Sequence, residues 1–160
     1  MKKLAYALLA FFLFLNVIAA LHAYKFTHFS LSKVERTEAR SLALGDKLAI
    51  LFTGISNPKP VNIKTPHVPY QHMVLNGRGK IDCWILDRDS AKGTILVFHG
   101  FSGEKSGMIG KAEVLHQLGY RVMLVDFVGS GASSGNQVTL GYKEAEDIEG
   151  CTHHWAAKGE

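Results

Sequence analysis

His99-Gly100-Phe101-Ser102-Gly103 stands directly after an apolar run, Thr94-Ile95-Leu96-Val97-Phe98. A loop leaving the C-terminal end of a parallel strand, just before a helix, is where α/β sheets build their sites. Glycines there let the backbone turn sharply and bring N–H groups close to a ligand. The same residues also fit a tight strand-to-helix turn around a buried histidine, and the pentad alone leaves both readings open. A second glycine-rich loop, Gly129 to Gly135, follows the apolar run that ends at Val125-Asp126. Within it, Gly131-Ala132-Ser133-Ser134-Gly135 spells Gly-x-Ser-x-Gly, the turn that exposes a nucleophilic serine between a strand and a helix. Here the apolar run stops well before Gly131, and Asn136-Gln137-Val138-Thr139 follows in place of a helix start. Ser133 therefore reads as a loop serine. Gly129, Gly131 and Gly135 also admit a dinucleotide-binding turn, kept as an alternative, although that turn needs its glycines to open a helix directly. Among eight histidines no pair has metal-ligand spacing with a supporting carboxylate, so no metal site is expected, and His153-His154 reads as solvent-facing.

The elements around these loops follow from periodicity. Gln71 to Asn76 and Ile81 to Leu86 are expected as an antiparallel hairpin turning at Gly77-Arg78-Gly79-Lys80. The Thr94 to Phe98 run is apolar on both alternating faces, as in a strand covered on both sides of a sheet. Ser106 is placed to cap a helix carrying Met108, Ile109, Ala112, Leu115 and Leu118, closed by Gly119. Val122 to Val125 is a second buried strand. A last helix sets Ala145, Ile148, Thr152 and Trp155 on one face, with Glu144, Glu146 and Asp147 near its start, where the helix dipole favours negative charge. Strand, helix, strand, loop, helix is the alternation of a mainly parallel sheet.

Three segments precede or make up this fold. Residues 1–23 begin Met1-Lys2-Lys3, and Leu4 to Ala23 contain no Asp, Glu, Lys or Arg. A cleaved signal peptide and an uncleaved anchor both fit, the first with a cut after Val17-Ile18-Ala19, the second because about 20 apolar residues span a bilayer. The remainder is exported on either reading, as a secreted or periplasmic protein or as one held to the membrane through residues 4–23. Residues 24–69 form a connector. It contains a short helix capped by Ser41, with Leu42, Leu44, Leu48, Leu51 and Phe52 at helical spacing and Gly54 at its end. Asn57-Pro58-Lys59-Pro60, Pro66 and Pro69 then make an extended stretch. Residues 70–160 form the α/β unit. Apolar residues make up 47% of the chain, enough for a packed core, and the net charge of +4 is scattered, which excludes a nucleic-acid footprint. Cys83 and Cys151 are read as two buried thiols.

His-Gly-Phe after the third strand, the helix after it, Tyr120 to Phe127 and the loop Gly129 to Gly135 together resemble the α/β-hydrolase family, in its bacterial peptidase- and lysophospholipase-like branch. The resemblance covers roughly Tyr70 to Glu160 and implies the N-terminal half of an α/β-hydrolase sheet: an antiparallel hairpin, then parallel strands with crossover helices. It implies that the backbone N–H of Phe101 serves an oxyanion hole, with Gly100 permitting the approach and His99 bracing the loop. It further implies a serine hydrolase acting on an ester, thioester or amide of a small-molecule, lipid or peptide acyl substrate, with no cofactor. The nucleophile, acid and base are then expected after Glu160, so no catalytic triad residue falls within the chain, which is expected to be an inactive fragment. Val128 departs from the family's frequent arginine and removes a buried ion pair. A non-catalytic binding module is the remaining alternative.

Overall fold

The computed structural model describes residues 2–32 and 42–157. The chain divides into two compact units, Met1–Pro58 and Lys59–Glu160. In the first, helix α1 (Lys2–Thr27) is long and apolar enough to cross a membrane, and none of its residues is buried. Helix α2 (Leu44–Thr53) starts two residues later than the sequence suggested. Extended Ala43 precedes it without a side-chain cap, and Ser41, expected as that cap, lies outside the described residues. Gly54 ends α2 at φ 76°, its N–H donating to Ile50 O at 2.8 Å.

The second unit is built on four strands: β1 (Gln71–Asn76), β2 (Lys80–Leu86), β3 (Thr94–Phe98) and β4 (Arg121–Val125), in the order β1-β2-β4-β3. β1 and β2 form the hairpin, β2 runs antiparallel to β4, and β3 pairs parallel with β4 from Thr94↔Arg121 to Phe98↔Val125. Helix α3 (Ile109–Gln117) connects β3 to β4, and α4 (Glu144–Ala156) follows the glycine loop.

Alternation along the strands makes two cores, because successive side chains leave a strand on opposite faces. Ile81, Cys83, Ile85, Met123 and Val125 pack with Cys151 and Trp155 of α4. Trp84, Leu86, Val122 and Leu124 pack with Val97 and with Ile109 and Ala112 of α3. Cys83 and Cys151 are fully buried free thiols in the first core. The Pro-containing segment after Pro58 is tied into this unit. Lys59 Nζ donates to Ser133 O at 2.6 Å, Asn62 Nδ2 to Asp126 Oδ2 at 2.7 Å, and Val68 and Tyr70 pack on the α3-side core.

Three local expectations need correction. Ser106 caps nothing: it is buried within a single 3-10 turn, Lys105–Met108, and its hydroxyl donates to Glu104 Oε1 at 3.0 Å while accepting from Ile63 N–H at 3.2 Å. The inward face of α4 is Glu144, Asp147, Cys151 and Trp155, whereas Ala145, Ile148 and Thr152 are exposed. The two buried carboxylates find partners from other elements, which outweighs their polarity. His154 is half-buried edge-on to Trp155, with ring centroids 5.7 Å apart, and only His153 of the pair is exposed.

Candidate active site

β3 delivers its C-terminal end to the His99–Gly103 pentad. Gly103 N–H donates to Gly100 O at 3.1 Å, closing a turn with Phe101 and Ser102 at its two central positions. Ser102 sits at φ 56°, a left-handed conformation that costs a non-glycine residue about 1 kcal/mol or more. The buried His99 ring holds this turn to the end of β4. Its Nε2 accepts the N–H of Phe127 at 3.2 Å, which fixes the proton on Nδ1, and Nδ1 donates to Gly100 O at 2.8 Å. With both nitrogens committed, the imidazole is a neutral brace and not a free base. A Cβ at Gly100 would meet no atom within 4 Å, so backbone at this point is open to an approaching molecule.

A cavity of about 340 Å³ opens beside the turn. Phe101, Phe127, Val138, Leu140 and Ile148 supply its apolar walls, and Glu144 closes one side. Ala145 and Ile148 of α4, which the sequence assigned to the core, thus line this cavity, while Trp155 stays in the core. Glu144 accepts Thr139 N–H (2.8 Å), Thr139 Oγ1–H (2.7 Å) and Gly141 N–H (2.8 Å). Burial pushes its pKa up, but these donors outweigh burial and hold the carboxyl below the usual range.

Beneath the turn lies a buried ionic network that sequence reasoning missed. Lys105, with no exposed surface, donates Nζ to Asp126 Oδ2 at 2.6 Å and also to Asp82, and sits 4.4 Å from the centroid of the Trp84 ring. Asp126 additionally accepts Lys105 N–H (2.7 Å), Asn62 Nδ2 (2.7 Å) and Ala132 N–H (2.9 Å). His72 Nε2 lies 2.5 Å from Asp82 Oδ2 at the network's outer edge. Burial raises the Asp126 pKa, yet Lys105 and Asn62 more than offset it and keep the carboxyl below its ordinary value. Lys59, beside Asp126, is lowered by burial despite that carboxylate. A lone Asp between Ile81 and Cys83 in an otherwise apolar strand was the available signal.

The glycine loop wraps this network. Gly131 has φ 52°, and a Cβ there would fall 2.0 Å from the Asp126 carboxyl, so only glycine fits. Ser133 is buried; its hydroxyl donates to Asp126 O at 2.6 Å and accepts Asp82 N–H at 2.8 Å. Both capacities of the hydroxyl serve the scaffold. Ser133→Ala is expected to cost about 1–3 kcal/mol, because it orphans the buried Asp82 N–H. Urea unfolding followed by Trp84 and Trp155 fluorescence checks this. The Val128 N–H donates to Asp147 Oδ2 at 3.0 Å, and Arg78 of the hairpin turn pairs with the same carboxylate at 2.9 Å. Among the described residues no cluster of three or more His, Cys, Asp or Glu could hold a metal ion.

No family model and no curated protein matches the chain. Solved structures do. An esterase of Pyrococcus furiosus, Pf2001, matches in one crystal form at 25% identity and TM-score 0.50, over 60% of this chain and 40% of that one. In a second form it matches at 28% identity and TM-score 0.51, over 58% and 37%. The fold is a partial α/β-hydrolase fold. The chain spans about two fifths of that esterase's length. Within the α/β-hydrolase frame, the His99–Gly103 turn stands at the C-terminal end of a parallel strand, where sites in such sheets lie.

Proposed function

We propose that this chain carries the oxyanion-stabilising half of a serine hydrolase site. The observation that carries this reading is the Gly100–Gly103 turn, held by His99 beside an apolar cavity in an esterase-like fold. The substrate is an ester, thioester or amide with an apolar acyl portion, from a small molecule, lipid or peptide. Attack on its carbonyl places negative charge on oxygen, and the backbone N–H of Phe101, at the first central position of the turn, is the donor assigned to stabilise that charge. A serine activated by a histidine and an acid performs the attack. On this reading none of the three groups is drawn from the residues of the half-site described above, and no cofactor is required. The enzyme works in an exported setting, secreted or tethered through α1.

A dinucleotide site is disfavoured by charge. The first turn of α4 holds Glu144, Glu146 and Asp147, which repel a pyrophosphate, and the glycine loop is packed on Asp126. The test uses p-nitrophenyl butyrate and a fluorophosphonate probe. The chain itself is expected to show no turnover and no label on Ser133. The translation product of the reading frame continued past the Glu160 codon is expected to turn over and to be labelled on a later serine. Label on Ser133, or turnover abolished by Ser133→Ala, would overturn the reading. No activity in the continued product would favour a binding module.

A further inference from the structure

We propose that α2 is a second membrane-embedded element, with its apolar face in the acyl region of the leaflet where α1 emerges. The inference rests on reading α1 as an uncleaved anchor. α2 contains five consecutive apolar residues, Leu48 to Phe52, and none of its residues is buried. Leu44, Leu48, Leu51 and Phe52 are all exposed. A free apolar face alone names no occupant; the contacts with α1 do. The Phe52 ring packs on Phe14, centroids 6.2 Å apart. Phe14 lies nine residues before Ala23, the end of the uncharged stretch. At 1.5 Å rise per residue that is about 14 Å inside a hydrocarbon layer of about 30 Å. If α1 spans, Phe52 is carried to lipid depth with it.

The C-terminal end of α2 is equipped for that setting. Lipid offers no hydrogen bonds, so backbone groups inserted into it need partners within the protein. Ile50 O accepts Gly54 N–H at 2.8 Å, and Ala49 O accepts the Thr53 hydroxyl at 2.9 Å. From α1, the His22 ring bonds Leu51 O at 3.0 Å and Lys25 Nζ donates to Gly54 O at 3.1 Å. Lys25 lies just past Ala23, where a long cationic chain can keep its head at the interface. A Cβ on Gly54 would come within 3.1 Å of His22 Cα, so the glycine permits the close helix approach usual in membranes. Asp46 and Lys47 mark the end of α2 that stays in water.

Nitroxide labels placed singly in the full chain test this in phosphatidylethanolamine/phosphatidylglycerol vesicles. The sites are Leu13→Cys, Asp46→Cys, Leu48→Cys and Phe52→Cys. The unsubstituted chain, whose cysteines are both buried, gives the blank. At Leu48 and Phe52 oxygen is expected to collide severalfold more often than a water-soluble nickel chelate, as at Leu13, with the order reversed at Asp46. Nickel access at Leu48 and Phe52, or shielding from both quenchers, overturns the α2 inference while α1 remains an anchor. Nickel access at Leu13 overturns the anchor and the inference together.

Discussion

Lys105→Met is expected to remove about 3–5 kcal/mol from the stability of the Lys59–Glu160 unit, because it strands two carboxylates without their shared cation. Methionine keeps most of the length and packing of the lysine stem, so the loss reports charge more than volume. Asp126 has no exposed surface, and the Asp82 side chain is 11% exposed, so water cannot replace the ammonium. The pH dependence distinguishes this from a packing defect. Asp126 is held below its ordinary value of 3.8 in the folded protein. A depressed carboxyl contributes stability that is present above the unfolded pKa and is lost as pH falls through the folded one. In the variant, burial acts on Asp126 without the ammonium, and protonation relieves the penalty. The gap between wild type and variant is therefore largest at neutral pH and narrows as pH falls through the variant's raised Asp126 value towards the wild type's depressed one. Urea midpoints at pH 7 and near pH 3.5, read by Trp84 and Trp155 fluorescence, check both statements. A gap that stays constant across that range would mean the network is a packing feature only.

The same network shows where the sequence could and could not be read. The strands were legible because Ile95, Val97 and their neighbours, and Val122 to Val125, are apolar on both faces, which only a doubly covered sheet accommodates. The hairpin was legible from Gly77 and Gly79 between two short strand-like runs. Lys105 and Asp82 were not, because a charge in isolation marks a solvated position, and what buries these two is each other across 23 residues. The inward face of α4 failed for the same reason. Its Asp147 is buried by Arg78, 69 residues earlier, and its Glu144 by the backbone of the preceding loop. Apolar Ile148 then faced the cavity and not the core. Periodicity ranks residues by polarity, while long-range pairing can reverse that ranking. The pentad after β3 was visible as a site candidate because glycine and histidine there have no role in the strand itself. How it is held, by a neutral His99 on Phe127 N–H, depends on β4 lying alongside β3.

On the proposed hydrolase reading, Phe101→Pro is expected to lower kcat for ester hydrolysis about a hundred- to a thousand-fold in the product continued past the Glu160 codon, the cost of one lost oxyanion donor. Proline removes the N–H together with the ring, while the turn geometry lets the backbone keep its path. Phe101 occupies the first central position of the Gly100–Gly103 turn, and positive φ at Ser102 in the second makes it a type II-like turn. That first position is the one proline favours, and glycine before it tolerates the restriction proline imposes. The turn should therefore survive the substitution, with an unchanged melting profile as the check. Phe101→Ala is the complementary variant: it keeps the N–H and deletes a ring that walls the cavity. It should raise KM for apolar acyl groups while leaving kcat near wild type, since wall contacts bind ground state and transition state alike. If Pro and Ala lower kcat equally, the ring and not the N–H is what catalysis uses. If neither changes kcat, the oxyanion is held elsewhere and the turn is scaffold.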